Sequence, residues 1–316
     1  MLQPLTIGVV VCVYTEARWP LILDAIASVR TQARPPDSIV VVVDHNERLL
    51  ARLEAEFADS SDVRVLPNAH AAGLSGGRNT GVEAVTTDVV AFLDDDAAAA
   101  AGWLGVLGAA FEDPRVIGAG GTIDAAWSGT RPAWWPRAFD WVVGCTYEGM
   151  PEHVAAIRNP IGANMAFRRE VILQAQGFVE GVGRGTGRPL GGEETELSIR
   201  AAVANPGSVI LHLPDAAVRH HVPAGRASFR YFVERCYAEG LSKATISRLV
   251  GPSSGLASER RYTTVVLPRA AMRALAGGIR RLDAGRTAQA PAIVVGLLVT
   301  VAGYAIGLAG ARLGRA

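Results

Sequence analysis

The chain has 316 residues, 49% of them hydrophobic and 19% charged, which is enough for one large α/β domain with an appendage or two modest domains, and which excludes wholesale disorder. Its net charge of +1 hides an asymmetry: residues 258–316 hold nine Arg against Glu259 and Asp283, a net of +7, while the preceding 257 residues, with 22 bases and 28 acids, carry −6. An acidic body with a basic tail fits a partner at an anionic membrane; no nucleic-acid motif is present.

In chain order, residues 7–13 form an apolar run of strand length, and Leu21, Ile22, Ala25, Ile26 and Val29 then show helical spacing between Pro20 and Gln32. Ile39–Val43 reads as a second buried strand, Leu49–Phe57 as a helix, Val63–Leu66 as a short strand, Gly76–Val85 as a helix and Val89–Leu93 as a fourth strand. Strands without polar interruption, alternating with helices, predict a mostly parallel sheet covered on both faces. In such sheets ligands bind beyond the carboxyl ends of the strands. Three of those ends carry polar clusters: Tyr14-Thr15-Glu16, Asp44-His45-Asn46 and Asp94-Asp95-Asp96.

After residue 125 the pattern turns irregular, with four of the six Trp (Trp127, Trp134, Trp135, Trp141) within fifteen residues. A glycine-rich stretch over 177–192 precedes an acid-rich helix from Glu193 to Ala204, and Tyr231–Leu249 reads as another helix. Leu267–Leu282 is amphipathic, with Met272, Leu275, Ile279 and Leu282 opposite Arg269, Arg273 and Arg280, and reads as an interfacial segment or as a helix packed on the domain surface. The 22 uncharged residues from Ala290 to Ala311, with Pro291 in the first turn, suffice for one transmembrane helix or a buried terminal one. Arginines at both ends leave it unoriented. Cys12, Cys145 and Cys236 form no disulfide or metal pattern and read as reduced packing residues. No secretory pattern opens the chain, so the expectation is a membrane-associated protein with a cytoplasmic catalytic domain.

Three consecutive carboxylates at the end of a buried strand repel one another unless a cation sits among them. A hard divalent ion, Mn²⁺ or Mg²⁺, with substrate phosphates meets that need. Taken in order, the opening strand with Tyr14-Thr15-Glu16, the stretch 35–44, Gly73 with Arg78-Asn79-Thr80-Gly81, Phe92–Asp96, the stretch 162–169, and Gly192–Leu197 with Arg200 resemble glycosyltransferase family 2 over residues 5–240. The resemblance implies the GT-A fold, a Rossmann-like α/β nucleotide-binding half over 1–125 joined to an acceptor half over 126–255. An interfacial segment over 256–288 and a membrane helix over 289–312 would follow.

The roles this implies are as follows. Thr15, Glu16 and Asp44, with Tyr14 beside them, would hold the uracil and ribose of a UDP-type donor. Arg78 would lie near the base or diphosphate. Asp94 would face the ribose, Asp95 would shape the turn, and Asp96 would ligate the metal. His220 in Val218-Arg219-His220-His221 matches a late histidine that completes the metal site, with ordinary hydrogen bonding as the other reading. Glu194 stands where the family has the second acid of a Glu-Asp pair, the general base, with Glu193 the alternative. Glu196 and Arg200, at i,i+4, are expected to pair. Trp134 and Trp135, between Pro132 and Pro136, read as an acceptor-side lip, with core packing as the alternative, and Asn164 as an acceptor-side residue. That loop, with 144–147 and 235–243, resembles glucosyl-dolichyl-phosphate glucuronosyltransferase-like members, which implies a lipid-linked sugar or glycan acceptor. A nucleotidyltransferase is the competing enzyme class, although Tyr14–Arg18 lacks the glycine-rich loop it would need after the first strand. A non-catalytic sugar-nucleotide-binding membrane protein is the third reading.

Overall fold

The computed structural model describes residues 5–183, 190–251 and 259–313. The expected boundary at residue 255 and residues 184–189 of the glycine-rich stretch lie outside them. The chain divides into two compact units, one of residues 1–124, 151–187 and 193–220, the other of 125–150, 188–192 and 221–316.

The first unit is built on a mixed sheet of nine strands among the described residues. β1 (Ile7–Val13), β2 (Ser38–Val43), β3 (Val63–Pro67) and β4 (Val89–Asp94) alternate with the helices α1 (Trp19–Arg30), α2 (Glu47–Glu56) and α3 (Leu74–Ala84). These four strands are parallel, as their uninterrupted apolar runs predict. The later part of the chain supplies β5 (Ala97–Ala99), α4 (Trp103–Ala110), β6 (Val116–Trp127), β7 (Ala155–Ala156), β8 (Asn164–Arg168), α5 (Arg169–Gln174), α6 (Glu193–Ala204) and β9 (Val209–Val222). The strand order is β3-β2-β1-β4-β8-β6-β9-β5, with β7 paired to β9, and β8 and β9 run antiparallel to their partners.

The strand order reverses between β1 and β4. There Cys12 pairs with Asp94, so the carboxyl ends of β1, β2 and β4 lie side by side. α3 closes over β1 because Gly81 leaves room for Val10; a Cβ there would collide with that side chain. Beneath it Val10, Val42, Phe92, Met165, Phe167, Phe178 and Leu197 form one core.

The second unit is helical: α9 (Ala284–Leu313) packs against both α7 (Phe229–Val250) and α8 (Leu267–Arg281). α9 starts six residues before Ala290, because the Asp283 carboxylate accepts from the Arg286 N–H and caps it, so Pro291 lies inside the helix rather than in its first turn. By length and composition α9 is the one helix among the described residues able to cross a membrane.

The Trp134-Trp135 segment is not an open lip. Trp135 is 1% exposed and packs edge-on against Trp127 and Phe232, with Trp134 half-buried against Phe229 and Phe232. The apolar area of adjacent indoles is better buried against phenylalanines than left in water. Cys145 and Cys236 are buried free thiols, and burial pushes the Cys12 and Cys236 thiols up to about 12, consistent with inert packing residues.

Candidate active site

β4 ends in Asp94, and the following turn delivers Asp95 and Asp96 into the first unit, each 4% exposed. β9 approaches from the far side of β5, with His220 in register with Ala97. Alternation along the later part of β9, from Asp215 on, turns Ala216, Val218 and His220 inward and leaves Arg219 outside. His220 Nε2 therefore lies 3.0 Å from Asp96 Oδ1. One ligand atom from each of Asp94, Asp96 and His220 falls within 4.8 Å of the others. Two carboxylates and one imidazole form an oxygen-rich, nitrogen-capped donor set that fits Mn²⁺ or Mg²⁺. Asp94, expected at the ribose, thus stands in the candidate metal group as well.

Arg18, which sequence reasoning passed over, completes this cluster. Its Nη1 lies 2.5 Å from Asp95 Oδ1 and 3.0 Å from Asp96 Oδ2. Burial pushes the Asp95 carboxyl up to about 7 against the pull of Arg18, with Asp96 and Asp94 adding repulsion. Asp95 Oδ2 has no hydrogen-bond partner among the described residues. Asp95 therefore does more than shape a turn: it holds Arg18 against the Asp96 carboxylate. The available signal was positional, since Arg18 follows the carboxyl end of β1, next to β4.

The other donor-side residues gather at the ends of β1 and β2. Tyr14 is 52% exposed with Arg18 over its ring. Thr15 caps the short turn Glu16–Arg18. Glu16 accepts from Asn46 Nδ2 at 2.9 Å, which lowers its pKa. Asp44 accepts from Asn68 Nδ2 at 2.7 Å and the Gly73 N–H at 2.9 Å, and so fixes the loop that leads into α3.

Arg78, expected near the base or diphosphate, lies beside the Asp94 end of β4. It is 2% exposed, with Nη1 2.8 Å from Glu193 Oε1, Nη2 3.1 Å from the Gly162 carbonyl and 3.6 Å from Asp94 Oδ1. Burial opposes its charge, but Glu193 and Asp94 outweigh burial and push its pKa up. Arg78 is a strut between β4 and the start of α6.

Glu193 is buried by that pairing, while Glu194, the next residue in the first turn, stays half-exposed. Of the two candidate bases, Glu194 is the one with solvent access. Glu196 and Arg200 pair as expected, at 2.6 Å between Oε2 and Nη2, and Arg200 also donates to the Gly177 carbonyl at 2.8 Å. Asn164 is not acceptor-facing. It is 0% exposed, accepts from Trp103 Nε1 at 2.8 Å and donates to the carbonyls of Ala216 and Thr122. Its amide is spent tying β8 to α4, β9 and β6.

The sequence profile of Glycosyl transferase family 2 matches residues 8–174. Glucosyl-dolichyl phosphate glucuronosyltransferase of Haloferax volcanii is 33% identical over 249 residues, 78% of this chain and 79% of that protein. Among solved structures, the mannosyltransferase PcManGT from Pyrobaculum calidifontis, in complex with GDP-Man and Mn²⁺, matches with a TM-score of 0.57 at 18% identity, over 93% of this chain and 86% of that one. GalNAc-T7 with UDP, GalNAc and Mn²⁺ matches with a TM-score of 0.56 at 18% identity, over 85% of this chain and 58% of that one. Likeness at that identity shows the fold alone, and the fold is GT-A.

Proposed function

This chain belongs to glycosyltransferase family 2 and is a glycosyltransferase, and from that premise we propose that it moves a sugar, with inversion, from a UDP-type nucleotide-sugar donor to a hydroxyl of a lipid-linked sugar or glycan acceptor. The observation that carries the reading is the convergence of Asp94, Asp96 and His220 at the switch point of a GT-A sheet.

Residues 1–125 form the donor half in this reading. Tyr14, Thr15, Glu16 and Asp44, at the ends of β1 and β2, line the nucleoside. Asp94, Asp96 and His220 would hold a divalent cation. When bound, that cation supplies charge neutralisation to a nucleoside diphosphate leaving group. Arg18 keeps the Asp96 carboxylate oriented through two short contacts shared with Asp95. Glu194 takes the proton of the acceptor hydroxyl as that oxygen bonds to the anomeric carbon and the bond from the anomeric carbon to the diphosphate oxygen breaks. Glu193 is set aside as the base in this reading, because it is closed to solvent and turned onto Arg78.

The relative from Haloferax volcanii carries glucosyl-dolichyl phosphate in its name, which supports a polyprenyl-phosphate-linked acceptor here. The apolar helix α9 supports a membrane-associated enzyme, whose catalytic domain this reading puts on the cytoplasmic side. A panel of UDP- and GDP-sugars with Mn²⁺, scored by thermal shift and then by donor hydrolysis, tests the proposal. Stabilisation by a UDP-sugar, with turnover lost in Asp96→Ala and Glu194→Ala, is the expected result. Stabilisation by GDP-sugars alone overturns the donor, and equal turnover in Glu194→Ala overturns the base.

A further inference from the structure

α8 is amphipathic in an inverted sense. The face it packs inward is made of Ala270, Ala274 and Gly278 after Leu267, while its larger side chains point outward: Met272 is 62% exposed, Leu275 41%, Ile279 67% and Leu282, just past its end, 94%. A helix that only covered a protein core would bury those four and expose the alanines. Arg269, Arg280 and Arg281 are exposed on the same helix, as is Arg273, which pairs with Glu148.

α9 repeats the pattern. One side packs on α7 through glycines: a Cβ at Gly303 would strike the Tyr237 carbonyl, one at Gly307 the Ala244 side chain, and one at Gly296 the rings of Phe139 and Phe232. Val294, Leu298, Val301 and Ile306 are all more than half exposed. No polar side chain interrupts that open side between Pro291 and Gly310.

Length alone lets α9 cross a bilayer, but its neighbour argues otherwise. The contacts of Gly296 with Phe232, Gly303 with Tyr237 and Gly307 with Ala244 lay α7 alongside α9 through its apolar centre. That stretch of α7 carries Glu234, Arg235, Glu239 and Lys243. A crossing helix would carry these charges to membrane depth, where ionised side chains are rare and costly.

We propose that α8 and α9 form one monotopic docking face for a bilayer with anionic headgroups, α9 lying along the membrane with its exposed apolar side inserted and the α8 arginines meeting the lipid phosphates. The exposed arginines and the net charge of +7 over residues 258–316 supply the complementarity. The proposal deepens the membrane attachment of the preceding reading and requires nothing of the donor site.

The test uses the full chain in flotation with sealed vesicles of phosphatidylcholine, with or without phosphatidylglycerol. Binding should require the anionic lipid, weaken with salt and reverse on alkaline carbonate washing. Ile279→Glu with Leu298→Glu should lower the bound fraction about tenfold, with an unchanged melting temperature and unchanged donor hydrolysis. In chain synthesised in the presence of the vesicles, cysteines placed by Ala284→Cys and Ala309→Cys should both react with an external, membrane-impermeant maleimide. Protection of one end together with carbonate resistance means that α9 crosses, and overturns the proposal. Absence of vesicle binding with a dimer in sedimentation assigns the face to a second copy and overturns it too. Vesicle binding without donor hydrolysis sinks the transferase reading alone.

Discussion

Arg78 Nη1 and Glu193 Oε1 lie 2.8 Å apart with both side chains almost closed to solvent, at 2% and 6% exposure. Removing one member of a buried pair strands the other charge, at a cost of about 3–5 kcal/mol, whereas replacing both with apolar groups is often close to neutral. Arg78→Met is therefore expected to lower unfolding free energy by about that amount, and adding Glu193→Leu to recover most of it. Urea denaturation of the two single variants and the double variant checks this. Additive losses would show that the pair carries no coupling.

Asp96 is held from two sides, by His220 on one oxygen and Arg18 on the other. Loss of an outer-sphere partner alone weakens metal sites about 10–100-fold, so His220→Ala should weaken Mn²⁺ binding at least that far in titration calorimetry. Arg18→Gln acts differently. It leaves the neighbouring carboxylates without their counter-charge, so the metal-free protein should melt lower while its gain in melting temperature on adding Mn²⁺ exceeds that of wild type. Equal gains would mean that Arg18 does not compensate those carboxylates.

Glu194 should behave as a base that leaves donor affinity alone. Glu194→Gln is expected to lower kcat by about 10²–10⁴ with the donor KM nearly unchanged, and Glu194→Asp, which keeps the carboxylate but shortens its reach, to retain more of the rate. Steady-state rates against donor concentration separate these outcomes. A rise in donor KM with kcat intact would instead place Glu194 in donor binding.

The parallel half of the sheet was legible because apolar runs such as Ile7–Val13 and Ile39–Val43 are buried on both faces and interrupted by nothing polar. β6 and β9 were not, since each mixes buried and exposed positions and carries Asp124, Asp215 or His221 within its span. Of the candidate metal trio, the motif resemblance pointed to Asp96 and His220 and put Asp94 at the ribose instead. The carboxylates stand out by adjacency, whereas His220 was reached only through its motif, since its approach to them depends on the pairing of β9 with β5, which no local periodicity encodes. Asn164 and Trp135 were misplaced for the same reason: polarity and a proline-flanked loop suggest a surface, and only tertiary packing shows that both are buried.

Asn164 makes a strong test of that correction. Its three hydrogen bonds, all inside the first unit, contribute roughly 1 kcal/mol each. Asn164→Ala leaves a buried indole N–H and two carbonyls short of partners, so a loss of about 2–4 kcal/mol is expected, with acceptor KM per folded molecule unchanged. A selective rise in acceptor KM at unaltered stability would return Asn164 to the acceptor side.

His70 offers a pH test at the loop before α3. Its ring contacts Glu180 at 2.9 Å through Nδ1 and Glu83 at 3.0 Å through Nε2. Burial works against its charge, but the bonds to Glu83 and Glu180 prevail and raise its pKa above the ordinary value of about 6.5. A raised folded-state value means that the stabilisation is fully present below pH of about 6.5 and is lost as pH climbs through the folded value. Because the site is largely open to water, that contribution is held to under about 1 kcal/mol. His70→Gln should remove this part of the pH dependence, which sets in as pH rises above about 6.5, and cost nothing at alkaline pH. Glu180 precedes Gly183, where a Cβ would collide with Glu193, so loosening this clamp also frees the loop beside the paired carboxylate. Hydrogen exchange over residues 178–183 should therefore accelerate above neutral pH in wild type and at every pH in His70→Gln. A wild-type exchange rate with no pH dependence beyond the intrinsic chemistry would show that His70 does not hold the loop.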